Sequence, residues 1–406
     1  MVDFFAFKGW RPTPDKAEEV AAVPYDVVNT EEARALVTSA PDSLLRVTRP
    51  DVDLPDGASL YSDAAYEGAR HALNRLIDDG VITQDGTAGY YAYAQHMGAH
   101  VQTGIVGLVS ASDYWADRIK KHEFTRPTKE DDRMRHIEAV GAHLGPVFMA
   151  YRTRAAVDAC IQSVTAQTPE VDFVAPDGIR HQVWPIASGE AIALLESEFK
   201  ALDALYIADG HHRAAAASRI GRDCAAGDPK GLFLAVAFPD SALKILPYNR
   251  VVHHKGGQSD SALLEKLSAL FEINPLPEAS EPQATLHFSM FLSGQWYRLA
   301  LKEAFRPDPN DPVARLDVSV LQDLVLEPMF GIADPRTDDG ISFVGGIRGL
   351  EELENKATAF GGVSFALYPT SLEDLMDIAD AGEVMPPKST WFEPKLRSGL
   401  VISRYR

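Results

Sequence analysis

An α+β (mixed α/β) fold is predicted for this 406-residue chain, because strands and helices alternate irregularly and three stretches set the pattern. Residues 88–112 read as a β-hairpin: Tyr90 to Met97, a turn at Gly98-Ala99-His100, then Val101 to Ser110. From about Tyr61 to Asp79 the apolar residues fall at helical spacing and stop at Gly80. The short run Ala204 to Ala208 reads as a buried strand. It turns at Asp209-Gly210 into a helix that starts His211-His212-Arg213 and continues with four alanines, the best helix formers.

The aromatic start, Phe4 to Pro12, is expected to enter the core as a strand or extended arm. Val23-Pro24-Tyr25-Asp26-Val27 leads to Thr30, read as the N-cap of a helix over Glu31 to Val37, so Asp26 sits on the strand or turn entering it. A charge-dense segment runs from Arg118 to Arg135, and its end, Asp131 to Val140, looks helical. Pro146 to Tyr151 reads as a strand, Ala155 to Ala166 as a helix, His181 to Ile186 as strand-rich and Glu190 to Phe199 as a helix. After the strand Gly231 to Phe238 come a helix at Asp260 to Phe271, a Pro/Glu/Ser linker from Pro275 to Pro282 and two short strands flanking Gly294. Helices follow around Val318 to Met329, Leu350 to Thr358 and Ser371 to Ala381, with a strand at Phe365 to Tyr368 and a basic tail from Lys388. Two regions result, 1–240 and 241–406.

Hydrophobic residues make up 46% and charged residues 24%, as in an ordinary globular protein. The net charge of −19 argues against general affinity for duplex DNA or an anionic membrane, while leaving room for a local basic pocket. Cys160 and Cys224 have no metal-type spacing, so neither a disulfide framework nor a zinc site is indicated. No apolar run approaches the roughly 18 residues that span a bilayer. The N-terminus lacks a basic start and apolar stretch, so a cytoplasmic location is expected.

The corner at residues 205–213 carries the chemistry. Gly210 permits a sharp turn and close approach to a ligand. The N–H groups and positive dipole end of the new helix suit an anion, and Arg213 adds a planar fork for phosphate or carboxylate. Asp-Gly-His-His-Arg followed by small residues resembles the Gly-x-x-Arg helix start of the ParB/sulfiredoxin superfamily. The chain at large resembles one branch of it, the domain of unknown function 1015 family. The matching stretches are Val23 to Val27, His122-Glu123 with Asp132-Arg133, and Met385 to Phe392. The resemblance implies a ParB/sulfiredoxin-like core with a large insertion (the hairpin and the basic loop) and an added C-terminal α/β region. It also implies a helix start that holds nucleotide phosphates. In the superfamily's free-serine kinases an acidic residue near the N-terminal helix entry acts as base; Asp26 matches in context, though those kinases are expected to carry Glu.

These readings give a set of candidate residues. Asp26, Asp209 and His212 are the catalytic candidates, with Asp209 also placed to hold Mg²⁺ beside a bound phosphate. Gly210, His211 and Arg213 are expected to bind phosphate or nucleotide. At most one of the two adjacent histidines faces a ligand; the other packs or caps. Lys121, His122, Glu123, Arg126 and Arg133 belong to a run that is either a solvated face or a lid over a phosphate. Lys388 is offered by a loop fixed by two prolines. His253-His254 and the glycines at 345–349 lack metal or dinucleotide spacing and are set aside. The expected function is a phosphotransferase using ATP or ADP on a small hydroxylated metabolite, with free serine or phosphoserine leading. A nucleotide-binding ParB-like regulator and a small-molecule phosphatase are the alternatives.

Overall fold

The computed structural model describes residues 1–55, 57, 59–225 and 227–406. Two compact units emerge, residues 1–243 together with 394–406, and residues 244–393. The expected boundary near residue 240 assigned the whole tail to the second region. Residues 394–406 belong instead with the first unit, because their backbone is hydrogen-bonded there: Ala22 and Ser398 exchange both N–H···O bonds, and Gly399 N–H donates to Leu144 O.

The first unit is built on a nine-stranded sheet. Its strands are β1 (Phe4–Phe5), β2 (Tyr90–Met97), β3 (His100–Ser110), β4 (Ile119–Lys120) and β5 (Val147–Tyr151), then β6 (Val171–Val174), β7 (Arg180–Ile186), β8 (Leu205–Asp209) and β9 (Leu232–Pro239). The order is β4-β8-β5-β9-β3-β2-β7-β6, with β1 added to β3. Only the β4–β8 and β5–β9 pairs are parallel. The mixed sheet and its surrounding helices make the expected α+β fold.

The longer helices of this unit are α1 (Thr30–Ser39), α2 (Asp63–Asp78), α3 (Pro127–Val140), α4 (Ala155–Thr165), α5 (Gly189–Lys200) and α6 (His211–Ile220). Phe199 of α5 is fully buried, with its ring 4.2 Å from Phe4 and 5.2 Å from Tyr151, which pins β1 to the sheet. The alanines of α6 are equally buried, and their small side chains let that helix lie close on the sheet beneath it. The expected cap at Thr30 is corrected by one residue. Asn29 accepts from Glu32 N–H while Glu32 accepts from Asn29 N–H, a reciprocal capping box. Thr30 Oγ1 donates to Asp51 instead, at 2.8 Å.

The second unit carries a six-stranded antiparallel sheet of β10 (Tyr248–Val252), β11 (Phe271–Leu276), β12 (His287–Leu292), β13 (Gln295–Leu301), β14 (Ile341–Gly345) and β15 (Val363–Leu367), in the order β11-β13-β12-β15-β10-β14. The linker expected from Pro275 begins inside β11, which tolerates a proline because it is an edge strand and needs no inward N–H there. The single helix expected at 318–329 is divided. Asp317–Leu321 is α-helical, Gln322–Leu326 is a π-turn and Glu327–Phe330 is α-helical again. Pro328 brings no N–H for a regular i→i−4 bond, which accounts for the break. Among the described residues, no helix is long and apolar enough to cross a membrane.

Candidate functional site

Strand β8 is buried through Ala208, and its pairing with β5 slips between Ile207 and Asp209. Such a bulge re-aims the side chain that follows it, here the Asp209 carboxylate. Gly210 then takes φ +92°, a region that side-chain-bearing residues rarely adopt. Helix α6 starts at once, with no side chain capping its first turn. The open N–H groups of that turn are the ones an anion would engage.

Arg213 folds back over this turn. A Cβ placed on Gly210 would meet its guanidinium at 2.9–3.0 Å, so the glycine and the arginine occupy one compact arrangement. Arg213 Nη1 donates to Pro146 O, and Nη2 lies 3.9 Å from Asp209 Oδ2. Lys395, from the C-terminal tail, brings Nζ to 3.4 Å from the same oxygen. Burial alone would raise the Asp209 pKa. The Lys395 ammonium and the Arg213 guanidinium outweigh it and hold the carboxyl down at about 2. Asp209 is therefore ionised throughout the physiological range, with about a third of its side chain exposed.

The two adjacent histidines separate cleanly. His212 accepts from the Arg126 backbone N–H at 3.1 Å, so it fastens the 121–126 loop to α6. His211 is buried, its Nδ1 is 3.8 Å from Glu123 Oε2, and its ring meets His122 edge-on at 4.5 Å. Burial, then the neighbouring His122, pushes His211 well below the usual imidazole range. Its Nε2 is buried without a hydrogen-bond partner among the described residues. Lys121 places its ammonium 4.5 Å from the Tyr114 ring centroid. Residues 121–126 of the basic segment are loop, between the strand Ile119–Lys120 and α3. Arg133 lies within α3 and is buried, paired with Asp132 at 2.5 Å and stacked over Tyr25 at 4.0 Å.

Asp26 is exposed on the turn closed by Val27 N–H donating to Pro24 O at 3.2 Å. Arg49 fixes that turn by donating to Tyr25 O at 3.0 Å while pairing with Asp51 at 2.8 Å. The Asp26 carboxylate adds to the rise of the Tyr25 pKa and works against the lowering of His212. Tyr25, Arg133 and Arg213 line a cavity of about 50 Å³, together with His136, His143 and Ser398. That volume holds a few water-sized groups, not a nucleotide. Tyr25 itself is pushed up to about 12 by burial, against the pull of Arg133 and Arg213. Lys388 belongs to the second unit, at φ +59°, where its ammonium is 5.6 Å from the Tyr248 ring centroid.

Within the first unit, then, Asp209, Gly210, His211, Arg213, His122 and Glu123 converge, with Arg126 brought in through His212. Among the described residues no three of His, Cys, Asp and Glu form a metal-sized group. Mg²⁺ commonly takes one or two carboxylates plus phosphate oxygens, and the ionised, partly exposed Asp209 meets that requirement. Sequence reasoning missed Lys395 and Tyr25. Tyr25 carries no chemical signal of its own beside Asp26, and no local signal links Lys395 to Asp209.

A family model described as "Protein of unknown function (DUF1015)" matches residues 4–319. No curated protein matches the chain. Among solved structures it is similar to a free serine kinase in complex with AMP, at 15% identity over 70% of this chain and 86% of that one, with a TM-score of 0.34. It is also similar to SbnI with C-terminal truncation from Staphylococcus aureus, at 12% identity over 71% and 82% with a TM-score of 0.38. A third is a conserved hypothetical protein from Pyrococcus furiosus, at 15% identity over 73% and 94% with a TM-score of 0.34.

Proposed function

We infer that this chain, which belongs to the DUF1015 family of proteins of unknown function, is a nucleotide-dependent phosphotransferase acting on a small hydroxylated metabolite. One observation carries the reading: an uncapped helix start behind a left-handed glycine, with Arg213 folded over it. The likeness of the Asp-Gly-His-His-Arg corner to the ParB/sulfiredoxin helix start supports phosphate as the anion. The N–H groups of residues 211–213 receive phosphate oxygens of ATP or ADP, and Arg213 neutralises their charge. Mg²⁺, held by Asp209 and phosphate oxygens, would spread the negative charge that builds up during transfer.

The acceptor hydroxyl is oriented by Asp26, whose carboxylate receives its proton as the new P–O bond forms and the bond to the leaving phosphate breaks. Tyr25, Arg133 and Arg213, which line the small cavity, offer polar groups to part of such an acceptor. Free serine, or phosphoserine in the reverse direction, is the leading acceptor.

Calorimetric titration with ADP, followed by transfer of labelled phosphate to L-serine, tests the reading. Binding in the micromolar to millimolar range and a labelled phosphoester are expected. Asp26→Asn should cut transfer by about a hundredfold or more, the scale of a lost general base, with ADP affinity nearly unchanged. Salt-sensitive binding of random duplex without nucleotide binding would instead favour the regulator, and phosphate release without a phosphoester would favour the phosphatase.

Arg213→Ala should weaken ADP binding by about 1.5–3 kcal/mol, the worth of a hydrogen bond to a charged group. Arg213→Lys should restore only part, since an ammonium lacks the bidentate fork. Melting temperature should also fall in the alanine variant, because Pro146 O loses its donor. Intact affinity with lowered stability would make Arg213 a purely structural residue.

A further inference from the structure

Strands β2 and β3 bury two glutamines directly opposite each other, Gln95 and Gln102, both fully inaccessible. A buried amide is costly unless its hydrogen bonds are made, so this placement calls for partners. They lie in the C-terminal tail. Gln102 Nε2 donates to Gln95 Oε1 at 2.9 Å and reaches Pro394 O at 3.4 Å, while Gln95 Nε2 donates to Lys395 O at 2.9 Å. Two residues on, Arg397 N–H donates to Tyr93 Oη at 3.3 Å, and that hydroxyl is bonded to His181 Nδ1 at 2.8 Å. The main chain on both sides of Lys395 is therefore fixed by side chains of one hairpin.

The residue so held points its ammonium at the start of α6. The 3.4 Å contact with Asp209 is long for an ammonium–carboxylate bond, which normally closes to about 2.7–2.9 Å. Two cations, Lys395 and Arg213, stand 3.4 and 3.9 Å from the Asp209 carboxylate, beside the open first turn of α6. A phosphate at that turn would meet both.

We propose that Lys395 is a phosphate-binding cation of this site and that Gln95 and Gln102 are its positioning residues. The proposal rests on the phosphotransferase reading above and adds to it a residue 186 positions from Asp209. The ammonium turns from Asp209 to a phosphate oxygen and stays protonated; no covalent bond forms or breaks. The glutamines act only through where they hold the tail, by fixing the carbonyls of residues 394 and 395.

The test is ADP titration of the full chain and its variants, with melting temperatures measured alongside. Lys395→Ala should lose on the order of tenfold or more in affinity, and Lys395→Arg should recover part of it. Gln102→Leu should also weaken ADP binding, and that loss should vanish when combined with Lys395→Ala, because both changes remove one interaction. Gln102→Ala, which adds no bulk, replaces the leucine variant if the latter does not fold. Wild-type affinity in Lys395→Ala would overturn the proposal while leaving the phosphotransferase reading standing. An undiminished glutamine effect in the Lys395→Ala background would overturn the positioning role. Failure of the wild-type chain to bind ADP would overturn the reading itself, and the proposal with it.

Discussion

Gly210→Val is expected to abolish nucleotide binding and to cost roughly 2–4 kcal/mol of stability. The backbone there sits at φ +92°, ψ 30°, and holding a side-chain-bearing residue in that region costs about 1–3 kcal/mol, more when it is β-branched. The added Cβ would also meet the Arg213 guanidinium at 2.9–3.0 Å and displace it from the turn. Gly210→Asn separates the two effects, since asparagine accepts left-handed conformations far better. It should retain most of the stability while still crowding Arg213 and the anion. Calorimetric scanning and ADP titration on both variants check this. Unchanged affinity in Gly210→Asn would mean that the helix start is not where the ligand sits.

The part of this site that the sequence showed is the part whose signals are contiguous. The run Ala204 to Ala208, the Asp-Gly turn and the four alanines specify strand, corner and helix within a few residues of the observed β8 and α6. The hairpin at Tyr90 to Ser110 was readable for the same reason: apolar runs bracket a glycine turn. Asp26 was legible as a turn residue, although the helix cap behind it is Asn29 and not Thr30. Both residues are good caps, and only the reciprocal bond from Glu32 decides between them.

The rest depended on contacts between distant residues. Nothing near Lys395 indicates a partner, and the two glutamines that hold its backbone look from sequence like exposed polar positions in a strand. Their burial follows from the tail crossing the hairpin, which is a tertiary event. The adjacent histidines were recognised as unequal, but their roles depend on which one reaches Arg126 N–H across 86 residues. The charge-dense run reads from sequence as either a solvated face or a lid, with a helix from Asp131. Packing of α3 against α2 and α6 draws Arg133 and His136 inside and leaves 121–126 as loop.

Acidification should affect the two units in opposite directions. In the first unit, burial pushes His122, His136 and His143 down to about 4 and His181 to about 3, with His211 also well below its usual value. These imidazoles are neutral in the folded chain, whereas the unfolded chain protonates them near 6.5. Stability from this source is complete above pH 6.5 and is lost as pH falls toward 4, at about 1.4 kcal/mol per pH unit for each histidine. By pH 4.5 the total is on the order of 10 kcal/mol, comparable with the whole stability of a domain. Asp209, held at about 2, keeps its contribution until lower pH and does not soften this loss. In the second unit, burial raises Asp317 to about 7; its Oδ1 accepts from Leu286 N–H at 2.7 Å, and Asp374 nearby adds to the rise. A carboxyl raised in this way favours the folded state once protonated, so its contribution is fully present below the unfolded value near 3.9 and is lost as pH climbs through 7. Amide hydrogen exchange, corrected for intrinsic rates and read by segment at pH 7.5, 6 and 5, should show protection falling in β2, β5 and β8 while β12 and β13 hold or gain. Parallel loss of protection in both units would mean that the buried histidines are not the groups that set the acid limit.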